Sequence, residues 1–109
     1  MNVLFLCTAN LQRSKTAEEL FRAANNNHEY KSAGLSAKYV RKANSTLCTE
    51  ELLQWADRVY VFEQQHIDRI QSHTGEQYVS KIINLDIPDD FRYFQRELVL
   101  LLLESTKLI

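Results

Sequence analysis

Short apolar runs and amphipathic segments alternate along the chain, and this alternation predicts its strands and helices. Residues 2–7 form a short apolar run of strand length that stops at Thr8, which is typical of a buried strand followed by a loop. Further short runs bounded by polar residues predict three more strands. They cover Tyr30 to Leu35, Val59 to Phe62 and Val79 to Leu85.

The segments between these runs carry helical periodicity. A first helix is predicted from Lys15 to about Asn25, with apolar residues at i, i+3, i+4 and i+7 on one face and Glu18, Glu19 and Arg22 on the other. Those apolar residues are Ala17, Leu20, Phe21 and Ala24. Three later helices are predicted at Glu50 to Ala56 with Thr49 as N-cap, Gln64 to Ser72, and Phe94 to about Thr106. The connection Ser36 to Cys48 has weak periodicity and receives no assignment.

Strands and helices thus follow each other in the order β-α-β-α-β-α-β-α. This order predicts an α/β fold with a parallel sheet, helices on both of its faces and functional loops at the carboxyl ends of the strands. Cys7 lies at the carboxyl end of the first predicted strand, and Asp89 lies near that of the fourth. The last helix is apolar around more than one face, so it is predicted to lie across the sheet in a monomer, or to form a weak homodimer through its spare side.

Composition and charge narrow the function classes. Hydrophobic residues make up 45% of the 109 residues and charged residues 25%, which predicts a single globular domain over residues 1–109. The formal charge of −1 lacks the basic excess typical of nucleic-acid binding. No apolar segment is long enough for a signal peptide or a membrane span, so a cytoplasmic protein without a membrane partner is predicted. Two cysteines predict free thiols and no metal site.

The loop after the first strand carries the candidate chemistry. It reads Cys7-Thr8-Ala9-Asn10-Leu11-Gln12-Arg13-Ser14, a cysteine followed by five residues, an arginine and a hydroxyl. Between a strand and a helix, such a loop can turn its backbone N–H groups toward one point, where phosphate or another oxyanion is the expected occupant. Cys7 is then expected to be a thiolate nucleophile, Arg13 to bind phosphoryl oxygens through two hydrogen bonds, and Ser14 to donate to the Cys7 sulfur. A buried structural thiol beside a surface arginine is the alternative.

Residues 3–18 resemble the opening of the low-molecular-weight protein tyrosine phosphatases, whose members typically read Cys-x-Gly-Asn-x-Cys-Arg-Ser-Pro at this loop. The similarity continues through Ser32-Ala33-Gly34, residues 49–52 and residues 55–62, and it returns at residues 86–89. The resemblance implies a three-layer α/β/α fold with a four-stranded parallel sheet of order 2-1-3-4. It also implies catalysis through a phosphocysteine on Cys7, without metal or cofactor.

The resemblance assigns further roles by position. Arg13 would bind phosphate, while Asn10 and Ser14 would hold the loop and the thiolate, with Ser32 joining their network. An asparagine also tolerates the left-handed backbone that a tight loop demands. The general acid would be Asp89, with Asp86 and Asp90 as rivals and a plain turn as the alternative for all three. Tyr39, Phe91 and Tyr93 are the candidate pocket wall. The histidines are given no catalytic role; they are His28, His66 and His73.

Several positions depart from the family pattern. Ala9 replaces the family's glycine, Gln12 replaces its second cysteine, and Lys15 and Asp90 replace prolines. The chain is also shortened between Gly34 and Thr49.

The predicted function is a phosphomonoester hydrolase whose partner is a phosphotyrosine protein or a small aryl phosphate. The departures from the family pattern leave open a phosphate-binding module of reduced activity. A phosphocysteine carrier is a further alternative, because such carriers are similarly small and also have a cysteine after the first strand, although Arg13 argues against it. Arsenate reduction ranks below them because it needs additional relay cysteines.

Overall fold

The computed structural model describes residues 1–25 and 27–105 of the chain. Its strands form one sheet in the order β2-β1-β3-β4, and every neighbouring pair is parallel. They are β1 (Asn2–Cys7), β2 (Glu29–Gly34), β3 (Arg58–Val61) and β4 (Ile82–Asn84). The α-helices of the described residues are α1 (Arg13–Ala24), α2 (Ala37–Ala43), α3 (Glu50–Trp55), α4 (Gln64–Thr74) and α5 (Arg96–Ser105). The predicted parallel sheet of order 2-1-3-4 is confirmed.

Helices cover both faces of the sheet because side chains alternate along the central strand β1. Val3, Phe5 and Cys7 pack on the side of α1 and α5, where the Phe5 ring lies 5.8 Å from that of Phe21. Leu4 and Leu6 pack on the opposite side with residues of α3 and α4. Burial of these apolar side chains on both faces stabilises the three-layer architecture that the resemblance implied.

The burial of α1 differs from the predicted amphipathic face. Ala17 and Phe21 are buried as expected, but Ala24 is exposed at the end of the helix. Glu18, predicted to face outward, is buried because its carboxylate accepts a hydrogen bond from Ser32 and forms an ion pair with Arg22 at 2.5 Å. A partnered carboxylate can be buried at a position that periodicity alone assigns to solvent.

Element boundaries also differ in the second half of the chain. The unassigned connection contains α2, which Ser36 caps by accepting from the Tyr39 N–H, and which ends at Asn44 with φ of 54°. The predicted strand from Val79 is wrong in its first half, since residues 79–81 form a 3₁₀ turn and only three residues pair with β3. Both differences lie where local turn chemistry determines the backbone more than the apolar pattern does.

The last helix begins later than predicted. Phe94 has a φ of 56°, which an α-helix does not accommodate, so α5 starts at Arg96; its predicted end at Thr106 lies outside the described residues. Leu98 and Leu102 are buried against the α1 side, while Leu100 and Leu103 are exposed. A homodimer through this exposed side stays a prediction. In the described part of the chain, no helix combines the length and apolar character needed to cross a membrane.

Gly34 allows β2 to pass directly under residues 7–14, the segment called the cysteine loop from here on. The N–H groups of Leu35 and Ser36 donate to the carbonyls of Cys7 and Thr8 at 2.9 and 3.1 Å. A Cβ on Gly34 would lie 2.5 Å from Val40 Cγ2 and 2.8 Å from the Thr8 carbonyl oxygen. A side chain at this position therefore has no space unless the cysteine loop moves.

We expect Gly34→Ala to lower the free energy of unfolding by about 1–3 kcal/mol through overpacking and to weaken oxyanion binding by displacing the cysteine loop. Urea unfolding and calorimetry with vanadate measure the two effects. Gly75→Ala is the control, because Gly75 has a φ of 69° with no atom close to a Cβ, so it should lose stability through backbone strain alone. Wild-type vanadate affinity in Gly34→Ala would contradict the expectation.

Candidate functional site

The cysteine loop joins β1 to α1 at the carboxyl end of the central strand, and Asn10 shapes its turn. This residue is buried with a φ of 53°, and its Oδ1 accepts a hydrogen bond from Ser14 Oγ at 2.8 Å. Asparagine is one of the few residues other than glycine that adopt this left-handed conformation readily. Ala9 does not have a positive φ, so replacement of the family's glycine there imposes no left-handed strain.

Cys7 lies at the base of the loop with its thiol beside a hydroxyl. Its Sγ is 3.0 Å from Ser14 Oγ, and both side chains are buried. Ser14 has one hydroxyl proton, which it shares between two acceptors. While that proton goes to Asn10 Oδ1, Ser14 accepts from the Cys7 S–H; once Cys7 is a thiolate, the same proton can turn to the sulfur.

Arg13 is buried at the start of α1, and one of its terminal nitrogens is already occupied. Its Nη1 donates to Glu63 Oε2 at 2.6 Å and to the carbonyl oxygen of Ile87 at 2.9 Å. Within residues 1–25 and 27–105, Nη2 has no hydrogen bond, and the acidic partner of Nε is Asp89 Oδ1 at 3.7 Å. The Nε and Nη2 edge is therefore available for bidentate binding of an oxyanion.

A cavity of about 430 Å³ brings most of the sequence-predicted residues together. Cys7 and Arg13 lie in its wall, and the exposed side chains of Leu11 and Tyr39 stand at its opening. The other lining residues are Thr8, Ala9, Gln12, Glu63, Gln65 and Asp89. A cysteine, an arginine and a carboxylate thus face one space large enough for a phosphate ester.

Among the three candidate acids, Asp89 is the one that lines this cavity. Its side chain is 60% exposed, and its Oδ1 lies 3.7 Å from Arg13 Nε. Asp86 has a φ of 55°, and its N–H is taken by Asn84 Oδ1 in a local turn. Asp90 is exposed and does not line the cavity. The turn reading suits Asp86, whereas Asp89 is placed for contact with a bound ligand.

Three other predicted site residues lie elsewhere. Ser32 donates to Glu18 and holds α1 to β2, so the structure gives it a different hydrogen-bond partner from Asn10 and Ser14. Phe91 packs against the core on the α1 side. The Tyr93 hydroxyl donates to Glu19, and its ring lines a second cavity of about 450 Å³ beside Leu11 and Lys15. Of the three predicted wall aromatics, Tyr39 alone lines the cavity of Cys7.

Glu63 is a site residue that sequence reasoning missed. Burial alone would raise the pKa of its carboxyl, but hydrogen bonds from Arg13 and Gln65 and the charge of Arg13 outweigh this effect and lower that pKa below its ordinary value of 4.5. Glu63 is therefore ionised at neutral pH and fixes the position of the Arg13 guanidinium. Nothing within the cysteine loop signals this partner, because it follows β3, 50 residues later along the chain.

His66 is the second missed residue, and it is fully buried. Its Nδ1 accepts the N–H groups of Phe62 and Glu63 at 3.2 and 3.1 Å, and its Nε2 lies 3.2 Å from Thr8 Oγ1. Burial lowers the pKa of His66 to about 4, with Arg13 and Arg69 acting in the same direction against Glu63. Glu63 and His66 form the capping box of α4, but a glutamate followed by a histidine is not the usual Ser/Thr and Glu/Gln pattern, so the sequence carries no signal for the contact of His66 with the cysteine loop.

The second thiol, Cys48, lies apart from the candidate nucleophile. Burial raises the pKa of Cys48 to about 11, so this thiol stays protonated at neutral pH. It lines a separate cavity of about 160 Å³ beside Leu35 and Arg69. In the segments 1–25 and 27–105, no group of three or more His, Cys, Asp or Glu side chains could hold a metal ion.

We expect acidification to destabilise the fold between pH 6.5 and about 4 because of His66. In this range the unfolded chain binds a proton at this ring while the folded chain does not, so the free energy of unfolding falls by roughly 2–3 kcal/mol as the pH drops. Above pH 6.5 the neutral ring makes its full contribution to stability. Urea unfolding at several pH values measures this slope. His66→Asn should flatten it, whereas the matched change of the exposed His73→Asn on the same helix should not. An unchanged slope in His66→Asn would disprove the assignment.

Comparisons with known proteins agree with this fold and loop. The family model described as low molecular weight phosphotyrosine protein phosphatase matches residues 2–54. A comparison with curated protein sequences finds no match. Among solved structures, the YwlE arginine phosphatase from Geobacillus stearothermophilus is similar, with a TM-score of 0.71 and 26% identity, over 97% of this chain and 86% of that chain.

Two more solved structures are similar over nearly the whole chain. A YwlE arginine phosphatase in which a serine replaces the active-site cysteine, and is phosphorylated, has a TM-score of 0.75 and 25% identity, with coverage of 99% and 95%. The Vibrio vulnificus Wzb in complex with benzylphosphonate shares the fold, with a TM-score of 0.79 and 22% identity, over 97% of this chain and 94% of that chain. The family match covers the cysteine loop within residues 2–54, and the fold shared with these phosphatases extends over nearly the whole chain, so this chain is similar to the low molecular weight phosphotyrosine protein phosphatases.

Proposed function

We propose that this chain is a phosphomonoester hydrolase that removes phosphate from phosphotyrosine or another aryl phosphate through a phosphocysteine on Cys7. The observation that carries the proposal is the position of the Cys7 thiol in one cavity with the Arg13 guanidinium and the Asp89 carboxylate. These groups are a nucleophile, an anion binder and a proton donor. Two-step phosphoryl transfer requires all three.

In the first step the Cys7 thiolate attacks phosphorus and the bond from phosphorus to the leaving oxygen breaks. Arg13 binds two phosphoryl oxygens through its Nε and Nη2 edge, since Nη1 is held by Glu63 and Ile87. Backbone N–H groups of the cysteine loop bind the same oxygens. Protonated Asp89 gives its proton to the leaving oxygen, which departs as an alcohol or phenol.

In the second step water attacks the phosphocysteine. Asp89, now a carboxylate, takes a proton from this water while the sulfur–phosphorus bond breaks. Inorganic phosphate leaves and Cys7 returns to the thiolate. Ser14 stabilises that thiolate by turning its single hydroxyl proton from Asn10 toward the sulfur, over the 3.0 Å that separates the two side chains.

The cavity opening supports an aryl substrate. Leu11 is 48% exposed and Tyr39 is 47% exposed, and both side chains line the cavity around the Cys7 thiol. An aromatic ring carried by the phosphate would bury against these two side chains and stack on Tyr39. Leu11 belongs to the cysteine loop and Tyr39 to α2, so the ring would contact two separate segments beside the reacting sulfur.

Phosphoarginine is a second candidate substrate. Two carboxylates, Glu63 and Asp89, line the cavity, and a carboxylate pairs well with a guanidinium group. Two of the similar solved structures are arginine phosphatases. Both carboxylates are paired with Arg13, however, Glu63 at 2.6 Å and Asp89 more loosely at 3.7 Å, so Asp89 is the one better placed to contact a substrate guanidinium. The contacts offered by Leu11 and Tyr39 therefore favour an aryl phosphate over phosphoarginine as the substrate.

We expect the purified protein to hydrolyse p-nitrophenyl phosphate and a phosphotyrosine peptide without added metal between mildly acidic and neutral pH. Cys7→Ser should abolish turnover, and Asp89→Asn should slow it about 10²–10⁴-fold because it removes the general acid. Asp86→Asn and Asp90→Asn are matched controls and should stay within about twofold of wild type, roughly 0.4 kcal/mol. A phosphoarginine peptide assayed in parallel separates the two substrate classes.

Three outcomes would contradict the proposal. Turnover that persists in Cys7→Ser would rule out the phosphocysteine mechanism. Vanadate binding by a folded wild-type protein without detectable hydrolysis would favour the phosphate-binding module of reduced activity. A stable phosphoprotein that transfers its phosphate to a partner but not to water would favour the phosphocysteine carrier.

A further inference from the structure

We propose that Thr8 is a further catalytic residue whose hydroxyl, oriented by His66, donates a hydrogen bond to a non-bridging oxygen of the phosphoryl group bound above Cys7. The inference rests on the proposed function, because it assigns one more donor to the same phosphoryl site. It adds a side-chain donor to the backbone N–H groups of the cysteine loop. It also gives a buried histidine outside that loop a part in the reaction as a positioning residue.

The hydrogen bonds of His66 define its tautomer. Two backbone N–H groups, those of Phe62 and Glu63, point at Nδ1 at 3.2 and 3.1 Å. A nitrogen that accepts two N–H donors carries no proton of its own. The proton of the neutral ring is therefore on Nε2, and Nε2 is the donor in the 3.2 Å contact with Thr8 Oγ1.

Burial keeps His66 in this neutral form, because the fully buried ring loses the water that would solvate a positive charge. Arg13 and Arg69 also oppose a positive charge on the imidazole, and Glu63 favours it. Protonation would place a hydrogen on Nδ1 against the two backbone N–H groups, so the arrangement requires the neutral ring.

The tautomer of His66 in turn directs the Thr8 hydroxyl. Because Oγ1 accepts from His66, the Thr8 proton must point to another acceptor. Among the described residues no acceptor is paired with it, although Thr8 lies directly after Cys7 and lines the cavity. A phosphoryl oxygen bound in this cavity supplies the missing acceptor, and the hydroxyl is oriented before the substrate arrives.

The experiment compares four variants that separate the hydroxyl from the shape of the loop. Thr8→Val removes the hydroxyl and keeps the volume, and Thr8→Ser restores the hydroxyl. His66→Asn keeps an acceptor for the Phe62 and Glu63 N–H groups while shortening the side chain so that it no longer reaches Thr8. The double variant Thr8→Val with His66→Asn tests whether the two residues act as one unit.

We expect Thr8→Val to lower kcat for p-nitrophenyl phosphate about 10- to 100-fold, with KM changed less than threefold, because the donor matters most as charge develops in the transition state. Vanadate affinity should fall by a similar factor, more than phosphate affinity. Thr8→Ser should recover most of the activity. His66→Asn should resemble Thr8→Val, and the double variant should be no worse than the poorer single variant.

One threonine and one histidine of α4, both away from the cysteine loop, provide matched controls. Thr74→Val and His73→Asn should leave kcat, KM and vanadate affinity within twofold of wild type. Circular dichroism and urea unfolding of every variant verify that the compared proteins are folded.

Several results would overturn the inference while leaving the proposed function intact. One is wild-type kcat and vanadate affinity in Thr8→Val. Another is a double variant whose loss equals the product of the two single losses, which would mean that His66 does not act through Thr8. Failure of the proposed function gives a different result, because the wild-type protein itself would then not hydrolyse aryl phosphates. In that case vanadate affinity alone tests the inference: a loss in Thr8→Val that Thr8→Ser restores would support it, and equal affinities in the two variants would overturn it. A wild-type protein that binds neither vanadate nor phosphate would overturn both.

Discussion

The positive charge of Arg13, buried at the carboxyl edge of the sheet, organises the site. A guanidinium taken out of water must be paired, and here the pairing partners come from two distant segments, Glu63 after β3 and the Ile87 carbonyl after β4. The cysteine loop supplies the arginine itself. One buried cation thus joins the ends of three strands, and the cavity forms between them because each segment must approach the same group.

The parts of the fold that the sequence pattern predicted are those determined by neighbouring residues. The run of buried residues in β1 and the Cys7 to Ser14 spacing are local, and the structure places them together as expected. Asn10 also adopts the left-handed backbone that its side chain permits. The order of the strands in the sheet cannot be predicted from neighbouring residues, because alternating strands and helices are compatible with several orders of a parallel sheet. The prediction of this order rests on the family resemblance.

What sequence reasoning missed depends on contacts between residues far apart in the chain. In the sequence, Glu63 and His66 are ordinary polar residues at the start of a helix. In the structure, Glu63 contacts the cysteine loop across 50 residues of sequence, and His66 contacts it across 58. Glu18 was assigned to solvent because periodicity cannot reveal that Ser32 and Arg22 compensate its burial. Short-range signals failed in another way at residues 79–81, Val-Ser-Lys, where a 3₁₀ turn precedes the apolar residues of β4.

The sheet order gives the two sides of the cavity unequal local stability. Cys7 ends the central strand, which is paired along both edges and buried on both faces, whereas Asp89 follows β4, an edge strand of three residues bonded on one side only. Hydrogen exchange in β1 is thereby tied to global unfolding, while the segment that bears the carboxylate can open by breaking a few hydrogen bonds. Substitutions in the segment that bears Asp89 are therefore expected to destabilise the fold less than substitutions in β1, which ends at Cys7.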